Sequence, residues 1–122
     1  MKKKKKVLIV DDDSRNIFAL SAVLRSREYQ CVSCMSASEA ISILNNEKDF
    51  DAILLDMMMP DMDGYEAIPL IKSLPNHENT PLIAVTAQAM LGDREKCIQA
   101  GADNYISKPV DMDKLFQILS IT

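Results

Sequence analysis

Polar side chains of types that suit charge chemistry come directly after four short apolar runs of the sequence. These side chains are Asp11 and Asp12, Asp56, Thr86 and Lys108. If the runs are neighbouring parallel strands, their carboxyl ends meet at one edge of the sheet, where ligands bind in open α/β folds. We therefore expect five side chains that are far apart in sequence to converge on one small crevice.

The types of these side chains predict cation binding and phosphoryl transfer. Three carboxylates held together repel one another unless a cation joins them, so Asp11, Asp12 and Asp56 predict a metal site. Ligand sets made only of oxygen select a hard cation, and we predict Mg²⁺, with Mn²⁺ as the second choice. The ammonium of Lys108 and the hydroxyl of Thr86 would stabilise a transferring phosphoryl group by charge and hydrogen bonding. Asp56 is the predicted nucleophile, because an aspartate can form an aspartyl phosphate.

The elements that must position these residues alternate between strand-like and helix-like patterns. Strands are predicted over residues 7–10, 30–35, 52–55, 82–85 and 104–107. Helices are predicted over residues 14–27, 36–44, 65–74 and 91–100, with a last helix capped by Asp111. Strand followed by helix, five times over, predicts an α/β domain with a parallel sheet and helices on both faces.

Several side-chain placements also follow from these patterns. Phe18 should widen the apolar stripe of the first helix, and Cys97 and Ile98 should point inward. Pro69 conflicts with the interior of its helix, so we expect a late start or a kink there. His77 lies in a polar loop and is predicted to be on the surface.

Length and composition favour one globular domain that works inside the cell. The chain has 122 residues, of which 48% are hydrophobic, enough for a substantial core. The net charge of -4 argues against nucleic acid as a partner, and no apolar run is long enough for membrane insertion. Three cysteines without a secretory signal suit a reducing, cytoplasmic compartment. We expect residues 1–6 to be a basic flexible N-terminus and residues 7–122 to be the domain.

Four motifs, taken together, resemble the receiver domain of two-component response regulators. They are Val10-Asp-Asp-Asp13, Leu54-Leu-Asp-Met-Met-Met-Pro-Asp-Met-Asp-Gly64, Ala84-Val-Thr-Ala87 and Tyr105-Ile-Ser-Lys-Pro109. The resemblance covers residues 5–119 with all motifs in order. It implies the flavodoxin-like (βα)5 fold, a five-stranded parallel sheet with strand order 2-1-3-4-5.

The resemblance also implies roles for the acidic residues and their neighbours. Asp56 looks like the phosphoacceptor, and Asp11 and Asp12 look like the acids that bind Mg²⁺ together with the backbone carbonyl of Met58. In this family the side chains two residues after the acceptor and two after the threonine tune hydrolysis. In this chain they are Met58 and Gln88. Because Met58 is apolar, we expect it to order the attacking water poorly and to lengthen the phosphoryl lifetime.

Further roles concern the switch and its partners. Lys108 looks like the lysine that pairs with phosphate, and its peptide bond to Pro109 is expected to be cis. Thr86 and Tyr105 look like the switch pair that changes the surface of the fourth helix, fifth strand and fifth helix. The donor would be a phosphohistidine on a histidine kinase or phosphotransfer domain. The resemblance is greatest to receivers of hybrid sensor kinases, so we favour a domain excised from such a chain, at the cytoplasmic side of a membrane, over a stand-alone regulator.

Two other functions use similar motifs. A small Mg²⁺-dependent phosphatase of the haloacid dehalogenase type would use Asp11-x-Asp13 as its nucleophile pattern, although the chain has no room for a cap domain. The sequence gives even less support to a flavin- or nucleotide-binding module, because no glycine-rich loop follows the first strand. The receiver interpretation predicts no enzyme in the usual sense, since such a domain catalyses only its own phosphotransfer and slow self-dephosphorylation.

Overall fold

The computed structural model of the protein describes residues 4–60, 62–87 and 92–120. Five strands alternate with five helices along the chain. The strands are β1 (Lys6–Val10), β2 (Gln30–Cys34), β3 (Ala52–Asp56), β4 (Leu82–Thr86) and β5 (Asn104–Ser107). The helices are α1 (Ser14–Ser26), α2 (Ala37–Asn46), α3 (Gly64–Lys72), α4 (Asp93–Ala100) and α5 (Met112–Ser120). Each predicted element is therefore present, and most boundaries differ from the prediction by only one or two residues.

All five strands are parallel and lie in the order β2-β1-β3-β4-β5. This order confirms the predicted flavodoxin-like fold and puts β2 at one edge of the sheet. In the register, Val10 is opposite both Cys34 and Leu55, and Thr86 is opposite Ser107. The strands thus end nearly level, and the residues that follow them share one edge.

The sheet is covered on both faces, which explains why its central strands are apolar without interruption. Alternate side chains of β1 point to opposite faces. Leu8 and Val10 join the core beneath α2, α3 and α4, whereas Val7 and Ile9 join the core beneath α1 and α5. The same alternation separates the cysteines of β2, which are free and contact different cores. None of the helices in the described ranges has the length and apolar character needed to cross a membrane.

Three helices begin at side-chain caps next to the sheet. Asp13 accepts a hydrogen bond from the backbone N of Arg15 and caps α1, and Ser36 caps α2. Asp63 caps α3, which begins at Gly64. We predicted a late start of this helix or a kink at Pro69. The late start is wrong, because α3 begins at Gly64 and runs through Pro69, which lies on its exposed face. The kink stays a prediction.

Two apolar side chains predicted to face the core are exposed instead. Phe18 on α1 is 77% exposed and Ile98 on α4 is 42% exposed. Helical spacing alone does not fix the edge of a buried stripe, because residues at the margin are covered only where another element reaches them. Cys97, which we also predicted to point inward, is buried.

Lys6 corrects the predicted boundary of the flexible terminus. It is the first residue of β1, and its backbone N donates to the carboxylate of Asp51 at 2.8 Å. Its ammonium contacts Glu47 and Asp49 and lies 4.7 Å from the centre of the Phe50 ring. Lys6 is therefore an ordered part of the domain, held at the amino end of the sheet.

His77 is fully buried, which overturns its predicted surface position. Its Nε2 lies 2.9 Å from the carbonyl of Leu44 and 2.8 Å from the carbonyl of Glu47, both at the C-terminal end of α2. Its Nδ1 lies 3.0 Å from the hydroxyl of Thr80. Because two carbonyls can only accept, Nε2 carries the hydrogen and Nδ1 accepts from Thr80 in the neutral ring. The imidazole thus joins α2 to the loop before β4.

Replacing His77 with phenylalanine should lower the free energy of unfolding by about 3 kcal/mol, since buried carbonyls and a hydroxyl lose their partner. Urea unfolding of the variant measures this change. Glu78→Gln, an exposed neighbour, is the matched control and should unfold like the parent. A His77→Phe variant as stable as this control would contradict the bridging role.

Candidate functional site

Three carboxylates and one ammonium meet at the carboxyl ends of β1, β3 and β5. Asp11, Asp12 and Asp56 each offer a carboxylate oxygen within 4.8 Å of the others. Asp11 and Asp56 are 2% and 3% exposed, whereas Asp12 is exposed. The ammonium of Lys108 lies 3.2 Å from Oδ2 of Asp11 and 3.4 Å from Oδ2 of Asp56. The structure thus brings together the four charged residues that the strand ends predicted.

Backbone amides and one side chain hold the two buried carboxylates. The N–H of Met58 donates to Oδ1 of Asp56 at 3.0 Å, and the N–H of Asp13 donates to Oδ1 of Asp11 at 2.9 Å. The amide Nδ2 of Asn16 donates to Oδ2 of Asp11 at 2.6 Å. Our sequence reasoning missed Asn16. The available signal was its spacing, since a residue in the first turn of a helix can reach back to the strand end that precedes it.

Burial and charge shift the titration of this group of residues. Burial, with the nearby charge of Asp11, raises the pKa of Asp56, against the opposing pull of the Met58 amide and Lys108. Burial alone would lower the pKa of Lys108. Attraction to Asp56 and Asp11 has the larger effect, and the pKa of Lys108 is therefore raised overall. Two buried acids therefore share one cation, and the site retains excess negative charge.

This excess charge predicts a pH-dependent gain in stability for Asp56→Asn when divalent cations are removed. The pKa of Asp56 is higher in the folded state than in the unfolded state. The protein therefore has its full stability at pH values below the unfolded-state pKa and loses stability as the pH rises through the folded-state pKa. In EDTA the variant should melt above the parent at pH 8, and the difference should vanish in acid, where Asp56 is protonated in both states. Thermal melts from pH 3 to pH 8 measure this trend. An Asp56→Asn variant that melts below the parent at pH 8 would contradict the account.

The predicted switch residues lie on β4 and β5, the two strands that follow β3 in the sheet. Thr86 ends β4, is 4% exposed, and accepts a hydrogen bond at its carbonyl from the Lys108 N–H at 2.7 Å. Tyr105 on β5 is partly buried against the core, and this burial, together with the charge of Asp93, raises its pKa. The Lys108–Pro109 peptide bond is cis.

The loop after β3 carries three methionines with different environments. Met57 and Met59 are buried and fill space beneath the loop, whereas Met58 is 49% exposed beside Asp56. The second predicted hydrolysis-tuning residue, Gln88, lies outside the described residues. Of the two residues predicted to tune hydrolysis, Met58 lies within the described residues.

The family model of the response regulator receiver domain matches residues 7–120. This match covers nearly the whole chain and includes every strand end described above. The chain belongs to the response regulator receiver domain family. It is a receiver domain of two-component phosphorelay signalling, as the four motifs indicated.

The chain is similar to parts of several curated histidine kinases. The chain is 40% identical over 113 residues to the signal transduction histidine-protein kinase BarA of Escherichia coli K12, covering 93% of this chain and 12% of BarA. It is 35% identical over 115 residues to the sensor histidine kinase RcsC of Salmonella typhi, covering 94% of this chain and 12% of RcsC. The chain thus spans about an eighth of the length of these curated relatives.

A solved receiver domain shows the same architecture. The receiver domain of the sensor histidine kinase PA1611 from Pseudomonas aeruginosa matches with a TM-score of 0.88 and 35% identity, over 98% of this chain and 97% of that one. That structure has a magnesium ion coordinated in its active-site cleft.

The phosphatase alternative is not supported. The family match is to receiver domains. Within the chain, the carboxylate of Asp13, which that alternative needs beside Asp11, caps α1 and contacts Arg15 instead. The acids that lie together are Asp11, Asp12 and Asp56.

Proposed function

We propose that this domain accepts a phosphoryl group from a phosphohistidine onto Asp56 and thereby changes its surface. The observation that carries the proposal is the placement of Asp56, a buried carboxylate beside Asp11 and in contact with the ammonium of Lys108, which also contacts Asp11. An oxygen of Asp56 attacks phosphorus, and the P–N bond to the donor imidazole breaks. The imidazole nitrogen keeps the electron pair and takes up a proton. Lys108 stabilises the charge on the phosphoryl oxygens.

The residues present suit Mg²⁺. The candidate ligands are oxygens of Asp11, Asp12 and Asp56, which lie within 4.8 Å of one another, and the backbone carbonyl of Met58. Lys108 alone does not neutralise this many acids, which favours a divalent cation at the same place. Bound Mg²⁺ would neutralise negative charge on the phosphoryl group. Mn²⁺ is the natural substitute, since it accepts the same oxygen ligands.

Thr86 and Tyr105 would couple the phosphorylation of Asp56 to a change of the protein surface. Thr86 ends the strand next to that of Asp56, and in this proposal its hydroxyl would bond a phosphoryl oxygen. Tyr105, one strand further on, would turn inward when Thr86 moves. The affected surface would be that of α4, β5 and α5. The domain would be no enzyme beyond its own phosphotransfer and slow dephosphorylation.

The proposed donor is a histidine kinase or a phosphotransfer domain, because the curated relatives BarA and RcsC are histidine kinases. As part of such a protein, the domain would act on the cytoplasmic side of the membrane. The downstream partner would bind the surface of α4, β5 and α5.

The switch can be tested by nuclear magnetic resonance. With MgCl₂ and acetyl phosphate, backbone amide signals of residues 93–120 should shift in the parent and remain unchanged in Asp56→Asn. Thr86→Ala should still be phosphorylated but show smaller shifts at Tyr105. Phosphorylation of the parent without any shift in this range would contradict the proposed switch.

Replacing Met58 with asparagine should speed loss of the phosphoryl group about tenfold, because a polar side chain beside Asp56 can orient the attacking water. The decay of the phosphorylated protein, followed by intact mass after removal of acetyl phosphate, measures the rate. Met35→Asn is the matched control, since Met35 is 46% exposed and outside the site. An unchanged decay rate in Met58→Asn would show that this side chain does not set the lifetime.

A further inference from the structure

Asn16 clamps one acid of the site from the first turn of α1. Its Nδ2 lies 2.6 Å from Oδ2 of Asp11, while the N–H of Asp13 donates to the other oxygen at 2.9 Å. An ionised carboxylate only accepts hydrogen bonds, so the amide of Asn16 must present its NH₂ group to it. Both oxygens of Asp11 are thus held by groups at the start of α1.

Lys108 shares the same oxygen of Asp11 with Asn16. Its ammonium lies 3.2 Å from that oxygen and 3.4 Å from Oδ2 of Asp56. The proposed function requires this ammonium to stabilise the charge on the phosphoryl group of Asp56. As Lys108 turns to the phosphoryl group, Asp11 loses a partner, and at 2% exposure it has little water to replace it.

We propose that Asn16 is a positioning residue that keeps the Asp11 carboxylate aimed at the cation site when Lys108 turns to the phosphoryl group. The inference rests on the proposed function. It follows from the contact of Asn16 with an oxygen that Lys108 also contacts. Hydrogen-bond partners of metal ligands orient those ligands and tune their affinity, and losing one typically weakens metal binding about 10–100-fold.

Titration with MgCl₂, followed by nuclear magnetic resonance of the backbone amides, tests the inference directly. The amide signal of Asp13 reports on the carboxylate of Asp11, and that of Met58 reports on the carboxylate of Asp56, because each amide is hydrogen-bonded to that carboxylate. In Asn16→Leu, which keeps the size and loses the donor, the Kd for Mg²⁺ should rise about 10-fold or more. In Asn16→Asp the rise should be smaller, because this variant also loses the donor but adds a negative charge that attracts the cation. Asn46→Leu, which removes an amide that bonds only the carbonyl of Ser42 on α2, is the control.

Phosphorylation by acetyl phosphate separates positioning from a structural role. Asn16→Leu should be slower than the parent at limiting Mg²⁺ and should recover to within about threefold at saturating Mg²⁺, since only cation binding is weakened. An unchanged Kd for Mg²⁺ in both Asn16 variants would overturn the inference. A rate deficit that persists at saturating Mg²⁺ would overturn it too.

The two proposals fail differently. If the parent binds Mg²⁺ but never gains a phosphoryl group, the proposed function fails, whereas the Mg²⁺ titration still decides whether Asn16 positions Asp11. If the parent is phosphorylated and the Asn16 variants bind Mg²⁺ like the parent, only the role of Asn16 fails.

Discussion

Replacing Lys108 with methionine should slow phosphorylation by acetyl phosphate by at least about 100-fold, the scale seen when one charge-stabilising donor is removed from a reaction site. The ammonium lies within 3.4 Å of both buried carboxylates, 3.2 Å from Asp11 and 3.4 Å from Asp56. Methionine keeps the length of the side chain and loses the charge. The phosphoryl group would then form beside two acids without the ammonium of Lys108. Intact mass over time, at saturating Mg²⁺, measures the rate.

Lys114→Met is the matched control for this variant. Lys114 lies exposed on α5, away from the acids, so its removal should leave the rate unchanged. Thermal melting shows whether Lys108→Met remains folded at the assay temperature. A folded Lys108→Met variant that is phosphorylated within threefold of the parent rate would mean that Lys108 does not stabilise the phosphoryl group.

Replacing Gly64 with alanine should lower the free energy of unfolding by about 3 kcal/mol, at the upper end of the cost of overpacking. A Cβ at this position would lie 2.9 Å from the backbone Cα of Met57 and 2.7 Å from its Cε, and would also press on its sulfur. The backbone contact cannot be relieved by a rotamer change. The N–H of Gly64 donates to the carbonyl of Met57 at 3.2 Å, so the close approach also joins α3 to the loop that carries Asp56.

Gly92→Ala is a useful comparison, because no atom of the described residues lies within 4 Å of its added Cβ, while its φ of +93° opposes a side chain. It should cost about 1 kcal/mol. Urea unfolding measures both variants. If Gly64→Ala were no less stable than Gly92→Ala, the loop after β3 would be free to move away from α3, contrary to the packing described here.

The fold and the central charges were predictable because each depends on a local pattern and one general rule. Apolar runs that alternate with helical segments predict a parallel sheet, and parallel strands bring the residues after them to one edge. The convergence of Asp11, Asp56 and Lys108 could be predicted without further information. Their convergence follows from topology, whatever the detailed packing of the helices.

The predictions that failed depend on contacts between distant segments. His77 is buried because carbonyls at the end of α2, 30 and 33 residues away, accept its hydrogen. Phe18 and Ile98 are exposed because none of the described elements covers their edge of the helix. Asn16 escaped notice because its spacing shows only that it can reach Asp11, whereas the direction of its side chain shows that it does.

The central claim is that Asp56 accepts a phosphoryl group with the help of Mg²⁺, and intact mass tests it most directly. The parent protein, incubated with MgCl₂ and acetyl phosphate, should gain the mass of one phosphoryl group, and EDTA should prevent the gain. Asp56→Asn should gain nothing, whereas Asp51→Asn, which removes an exposed acid just before β3, should behave like the parent. A folded parent without the adduct, or an Asp56→Asn variant that still acquires it, would contradict the account.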